Sequence, residues 1–340
     1  MTHSVLFANP TAQSGKASEW IAQARKLLDA AGIEHDFIAT EPHGGTVGLV
    51  RRAIEEDGAV RVIYMGGDGT FAEVAKGLLG ADADDVAMGM LPMGTANDQG
   101  KSFGLDAGVS ALEENIAVIA AGVTINLDVG RVQRLDEADQ VTDSDLFFDS
   151  MSIGLGAAVL ATRNRDRETV ASIPLVRSIY RDKMVYFGAM LQNLAASYFD
   201  NPTFDLEAEI DGEVHYFKSV LDVIVKNTDV YGGEWVLAPD AEPDDGLFEM
   251  VPIAGRMDFG SKMLSTLRHH SVTEDDLRKL GLEHSQPVSG ASFVLTCIQP
   301  GAESQPAAQI DGEEFASGDK FRIEVLPRIL RLIVPRDRAK

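Results

Sequence analysis

Gly66-Gly67-Asp68-Gly69-Thr70 restricts the fold of this chain more than any other segment. Three glycines in four positions directly follow an apolar run over 60–65 and directly precede a helix-spaced pattern over 71–79. A strand, a tight turn and a helix in immediate succession predict one unit of a parallel sheet. The neighbouring segments repeat the unit. Residues 4–8 are an apolar run ending at Asn9-Pro10; Trp20, Ala24, Leu27 and Leu28 then fall at helical spacing, and Gly32 stands where a helix stop belongs. A second strand at 35–40, a helix through Val47, Leu49, Val50 and Ile54, a fourth strand at 87–91 and a helix over 106–121 complete the series. This alternation predicts a doubly wound parallel sheet with helices on both faces. In such a sheet the loops after Ala8, Met65 and Leu91 share the carboxyl edge, where ligands bind.

Beyond 121 the pattern changes. Segments 123–132, 146–152, 203–210, 214–226, 247–252, 293–298 and 321–326 read as strands without helices regularly between them. They predict a larger, mainly antiparallel β-sandwich domain with a helical insertion at 173–199. Residues 304–308 read as a loop, and 329–334 as a last strand that sequence alone cannot place. The expected organisation is α/β, with a nucleotide domain over 1–124, a β domain over 125–326 and a C-terminal strand or tail over 327–340. The length of 340 residues suits about two domains at roughly 150 residues each.

Composition excludes several function classes. With 53 acidic against 30 basic residues the chain carries −23, which argues against nucleic acid as a partner. The single cysteine, Cys297, rules out an intramolecular disulfide framework and a Cys-rich metal site. No apolar run reaches the ~18–20 residues of a membrane span, and the first eleven residues are strand-like, so a soluble cytoplasmic protein is expected.

Four segments carry candidate chemistry. In the GGDGT turn, glycines let backbone approach a ligand, the following helix offers N–H groups to an anion, and Asp68 puts a carboxylate where a divalent cation could bridge to phosphates. The bland alternative is a strand–helix turn with a cap. Residues 9–16, NPTAQSGK, offer Ser14, Gly15 and Lys16 to phosphates but depart from a Walker A loop at Pro10 and Ala17; the alternative is an ordinary loop. Residues 92–98, PMGTAND, gather Thr95, Asn97 and Asp98 at the same edge, and alone would read as a turn with a cap. Asp311-Gly312-Glu313 is a hairpin signal that also offers a carboxylate, whereas Asp211-Gly212-Glu213 reads as a plain hairpin.

The ordered set NPTAQSGK, GGDGT, PMGTAND and DGE, with PDAEPDDGLFEM at 239–250 and Asp128-Val129-Gly130, resembles the diacylglycerol kinase catalytic-domain family over essentially the whole chain. That family includes bacterial soluble lipid kinases and the sphingosine and ceramide kinases. The resemblance implies ATP bound by Asn9, Pro10, Thr11, Gly15, Lys16, Thr40, Gly66, Gly67, Asp68, Gly69, Thr70, Phe71, Ala72, Thr95 and Asn97. It implies Mg²⁺ at Asp68 and Asp128, a second, structural metal loop using Glu242, Asp245 and Leu247, and Glu313 as general base, with Asp68 essential. Where Glu242 stands the family more often has lysine. The implied function is ATP- and Mg²⁺-dependent phosphoryl transfer to a lipid hydroxyl, of diacylglycerol or similar, in an interdomain cleft. Rival readings are NAD-kinase-like phosphorylation of a soluble acceptor and a non-catalytic ATP-gated lipid-binding protein. The segment 163–183 carries six basic against three acidic residues ahead of an apolar stretch over 184–199, which would suit transient, peripheral contact with a membrane surface. A core helix with a solvated charged flank fits equally. Oligomeric state is left open, a homodimer included.

Overall fold

The computed structural model describes residues 3–81, 83, 85–158, 160, 203–233, 235–254, 258, 286–298 and 305–339. The helical insertion expected at 173–199, the basic segment 163–183 and the pair His269-His270 lie outside the described residues.

The chain opens with β1 (Ser4–Ala8), α1 (Ala17–Ala30), β2 (His35–Ala39), α2 (Gly45–Glu55), β3 (Arg61–Gly66), α3 (Asp68–Leu79), β4 (Ala87–Pro92), α4 (Asp98–Ser102) and α5 (Leu112–Ala121). β2, β1, β3 and β4 lie side by side and parallel. Alternation along each strand decides which helices cover which face. Val5 and Phe7 of β1 pack in the cluster with Val50 and Ala53 of α2 and Val74 and Leu78 of α3. Leu6 and Ala8 face the opposite cluster, with Ile21, Ala24 and Leu28 of α1 and Leu112, Ile116 and Ile119 of α5. The sheet is wound on both sides, as the alternation of patterns implies.

The antiparallel region follows: β5 (Thr124–Leu135), β6 (Val141–Phe147), β7 (Ser150–Gly154), β8 (Phe204–Ile210), β9 (Glu213–Lys226), β10 (Val230–Tyr231), β11 (Trp235–Val236), β12 (Phe248–Ala254), β13 (Val288–Gly290), β14 (Ser292–Ile298), β15 (Ala307–Ile310), β16 (Glu313–Ser317) and β17 (Lys320–Ile333). Among the described residues, fifteen strands form one hydrogen-bonded network that runs through both regions. The join is β17. Its first half pairs with β14, and Leu332 near its end pairs in parallel with Met88 of β4. β5 runs beside it along almost the whole length, interrupted between Leu326 and Leu330.

That interruption has a specific cause. Arg328 adopts φ 58°, unusual for a residue with a side chain, and its N–H donates to Asp128 Oδ1 at 2.6 Å. The carboxylate holds a bulge that re-aims the strand from one region into the other. Three sequence expectations change here. Residues 321–326 and 329–334 are parts of one strand, and the run 146–152 is broken at 148–149 into β6 and β7. Residues 307–308, read as loop, belong to β15.

The core of the parallel region thus includes the C-terminal strand: Leu330 and Leu332 are fully buried beside Leu127, Met88 and Phe148. Truncating Leu332 to Ala should cost about 2–5 kcal/mol of stability in urea denaturation, whereas Val214→Ala, on a side chain 49% exposed, should change it by no more than ~0.5 kcal/mol.

Candidate active site

The carboxyl ends of β1, β3 and β4 bring their loops to one edge of the parallel sheet. After β1, Asn9 Oδ1 accepts both the Thr11 N–H (2.9 Å) and the Thr11 hydroxyl (2.8 Å), an Asx turn that shapes the loop before α1. Asn9, Thr11, Gly15 and Lys16 are exposed and Pro10 is half-buried. Thr40, just past β2, is tied in by its N–H to the Ala8 carbonyl at 3.0 Å. After β4, Thr95 is exposed. No side chain caps α3, so its first N–H groups are left to the loop edge.

The glycines of the GGDGT turn are required by the protein's own packing. A Cβ on Gly66 would lie 2.5 Å from Thr70 Oγ1, and one on Gly94 would lie 2.5 Å from the Gly67 Cα. The loops after β3 and β4 therefore touch backbone to backbone. Asn97 completes the lock. At φ 54°, its Oδ1 accepts the Gly94 N–H at 2.8 Å, its Nδ2 donates to the Gly94 carbonyl at 2.8 Å, and its N–H donates to Asp68 Oδ2 at 2.8 Å. Asn97 is a residue of loop architecture, with both side-chain polar atoms engaged. Phe71 is buried, in edge contact with Tyr64 and Phe148, and Ala72 is partly buried against the same cluster.

The third glycine meets the antiparallel region. A Cβ on Gly69 would lie 3.4 Å from Glu313 Oε1. The exposed carboxylate of Glu313 thus sits against the turn that carries Asp68, although 245 positions separate the two residues (313 − 68). Asp311 fixes this hairpin. Its carboxylate accepts the N–H groups of Phe148 (2.9 Å), Asp149 (2.8 Å) and Ser150 (3.1 Å), and its own N–H returns a bond to the Ser150 carbonyl at 2.9 Å. The strand expected over 146–152 breaks at this grip.

The broken strand delivers Asp149, 3% exposed, into the interior. Its carboxylate takes the Thr228 hydroxyl and the ammonium of fully buried Lys226, at 2.8 and 2.9 Å to its two oxygens. Lys226 also donates to the Val230 carbonyl at 2.6 Å and stands 5.5 Å above the Tyr231 ring. Asp98 grips the next loop, accepting the N–H groups of Gly232 and Gly233. Four carboxyls and one ammonium are gathered here. Burial, and then the charge of Asp149, raises Asp68 above the usual carboxylate range, against backbone donors from Asn97, Asp68 itself and Asp98. Asp98 is raised further by burial, Asp149 and Asp68, with Lys226 opposing. Burial and Asp149 push Asp311 up to about 7.

Of the residues expected at metal sites, Asp68 lies in this cluster, while Asp128 and the 242–247 loop have partners of their own. Asp128 is fully buried; Oδ1 takes the Arg328 N–H and Oδ2 the Gly246 N–H at 2.6 Å, while its own N–H bonds the Pro243 carbonyl. It fastens the 242–247 loop, where Asp245 Oδ1 accepts the Leu247 N–H at 2.9 Å and Arg328 Nε bonds the Asp244 carbonyl. The structure therefore ties Asp128 to the loop that carries Asp244, Asp245 and Gly246. Among the described residues no three His, Cys, Asp or Glu side chains form a ready metal cage.

Asp149, Lys226 and the organising role of Asp311 are absent from the sequence expectations. A signal existed. Asp222 and Lys226 interrupt the apolar run 220–225 at a spacing that puts both on one strand face, and a charge buried in a strand needs a partner.

Known proteins resemble the chain in sequence and in fold. A model of the diacylglycerol kinase catalytic domain matches residues 3–132, and one described as the YegS C-terminal NAD kinase beta sandwich-like domain matches 169–334. The first region of the chain is thus similar to the diacylglycerol kinase catalytic domain, and the second to the YegS C-terminal domain. The protein named probable lipid kinase YegS, of Escherichia coli O127:H6, is 28% identical over 319 residues, covering 93% of this chain and 92% of its own. A Bacillus anthracis diacylglycerol kinase structure superposes with a TM-score of 0.67 at 18% identity, covering 98% of this chain and 97% of that one. Yeast NADH kinase complexed with NADH superposes with a TM-score of 0.51 at 10% identity, covering 99% and 84%. These two structures share the fold. The Escherichia coli relative is named as a probable lipid kinase, and the chain is similar to it along nearly its whole length. Among the described residues no helix is long and apolar enough to cross a membrane.

Two predictions follow from the buried carboxyls. Asp222, 2% exposed, accepts the Gly156 N–H at 2.7 Å through Oδ2, and burial pushes it up from 3.8 to about 8. Between those values the folded protein holds a proton that the unfolded chain has lost. Its contribution to stability is thus full below about 3.8 and is lost as pH rises through about 8. Urea titrations from pH 5 to pH 8 should show wild-type stability falling more steeply than that of Asp222→Asn. Separately, Asp311→Ala should lower phosphorylation by at least ~10-fold, while Asp211→Ala, in the matching turn elsewhere, should leave turnover within ~2-fold.

Proposed function

We propose that the protein is an ATP- and Mg²⁺-dependent lipid kinase that transfers the γ-phosphoryl group to a lipid hydroxyl. The observation that carries this reading is the contact of Glu313 with Gly69, which joins a solvent-accessible carboxylate to the glycine turn and to Asp68. Phosphoryl transfer to an alcohol proceeds mostly by positioning and charge neutralisation. A turn rich in N–H donors at a helix start suits a triphosphate, with the Asn9–Thr11 turn, Gly15, Lys16, Thr40 and Thr95 around it.

The donor set fits magnesium. Mg²⁺ keeps several waters and commonly uses one or two carboxylates plus substrate phosphates, so the lack of a three-carboxylate cage among the described residues is in keeping with it. Asp68 would hold it, and the crowding that raises Asp68 and Asp98 marks an excess of negative charge that a divalent cation relieves. When bound, the ion would neutralise charge on the phosphates.

In this reading Glu313 hydrogen-bonds the acceptor hydroxyl and takes its proton as oxygen bonds the γ-phosphorus and the bond to the ADP oxygen breaks. Asp311 keeps the hairpin in place. The acceptor lies in the antiparallel region, and the membrane surface is met transiently. Diacylglycerol is the acceptor the family's name suggests, and radiolabel transfer from ATP into a total lipid extract would identify the true one.

Asp68→Ala should retain no more than a few per cent of wild-type transfer, about 2 kcal/mol or more of lost transition-state stabilisation. Glu313→Gln should leave ATP affinity within ~2-fold while lowering kcat by at least ~100-fold. Equal loss of both would assign Glu313 a structural role.

A further inference from the structure

The Glu313 hairpin has a second fastening that the proposed chemistry does not use. The Gly312 N–H donates to Gln309 Oε1 at 2.7 Å, and Gln309 Nε2 donates to Ser152 Oγ at 3.1 Å. Gln309 is 4% exposed and Ser152 fully buried. Ser152 is in turn hydrogen-bonded with the Tyr231 hydroxyl. Tyr231 precedes Gly232 and Gly233, the two residues whose N–H groups Asp98 holds. A continuous relay therefore runs from the turn beside Glu313, through Gln309, Ser152 and Tyr231, to the loop gripped by the nucleotide side of the site.

The chain contains its own control. Asp211-Gly212 and Asp311-Gly312 adopt the same turn, with φ of 49° and 87° in the first and 47° and 80° in the second, and each joins two strands directly. The residue matching Gln309 is Glu209, which is exposed, and among the described residues no side chain bonds the Gly212 N–H. A turn of this type holds its shape without such a bond. The glutamine is therefore not needed to make the hairpin.

What Gln309 adds is placement. Gly312 is exposed, so water can satisfy its N–H if the glutamine is removed, and the fold loses little on that side. Glu313, however, would be held to the turn only through Asp311 and free to tilt about it. A displacement of about 1 Å at a reacting group can cost up to ~100-fold in rate.

We infer that Gln309 is a positioning residue for Glu313, setting the carboxylate's reach toward the acceptor hydroxyl by clamping the Gly312 N–H against Ser152. The inference rests on the reading of Glu313 as general base.

A double-mutant cycle separates the two. Full-length wild type, Gln309→Leu, Glu313→Gln and the double variant are assayed with γ-labelled ATP and vesicles of total lipid extract. Thermal melting verifies folding, and Gln309→Met serves as a second apolar replacement if the leucine variant fails to fold. The expected result is a ~10-fold lower kcat for Gln309→Leu with the KM for ATP unchanged, and less than a ~2-fold further effect in the Glu313→Gln background. An equal fold-change in both backgrounds, or no change in the wild-type one, overturns the positioning role. Wild-type turnover by Glu313→Gln alone instead removes the base reading, and this inference with it.

Discussion

Three backbone N–H groups converge on one carboxylate, that of Asp311, and the site depends on this convergence. The bonds from Phe148, Asp149 and Ser150 stop β6, start β7 and turn Asp149 inward. The same residue is the first of the turn that carries Glu313. One side chain thus sets the position of two carboxylates, those of Asp149 and Glu313. Three backbone donors held by one buried carboxyl together outweigh the tendency of 146–152 to continue as a single strand.

The cluster behind the seam is balanced with little margin. Asp149 would be prohibitively costly to bury alone, and Lys226 offsets it only because its ammonium also reaches the Val230 carbonyl. No second ammonium stands among the groups that shift Asp68, Asp98 and Asp311, so each is driven toward protonation by burial and by Asp149. The cluster is short of positive charge in the resting fold. The net charge of −23 is the same imbalance at the scale of the chain.

The parallel region was legible in the sequence because its signals are local. Apolar runs at 60–65 and 87–91 match β3 and β4 to within a residue, since a buried strand between turns needs nothing remote to define it. The antiparallel region was legible in outline, as strands without intervening helices. Its breaks were not, because remote carboxylates make them. The kink at Arg328 is held by Asp128, 200 positions earlier, and the break at 148–149 by Asp311. Strand propensity contains no such information. The candidate site was legible where a motif stood on one loop, as at GGDGT and DGE, but what its glycines face was not: Gly66 packs against Thr70, Gly67 against Gly94, and Gly69 lies beside Glu313. Sequence can show that backbone must come close to something there; only the fold shows to what.

The continuity of β17 and β5 limits how such a site can work. Pairing runs from Lys320 with Leu135 to Ile333 with Thr124, across both regions, with one bulge. Swinging one region away from the other would bend two long strands or break their ladder near Arg328. Asp98 and Lys101 add direct bonds to the Gly232–Gly233 loop. The approach of Glu313 to Gly69 is consequently a property of the resting fold and needs no closing motion. For a reaction whose acceleration comes mainly from charge and geometry fixed in advance, a rigid seam of this kind is the more economical design.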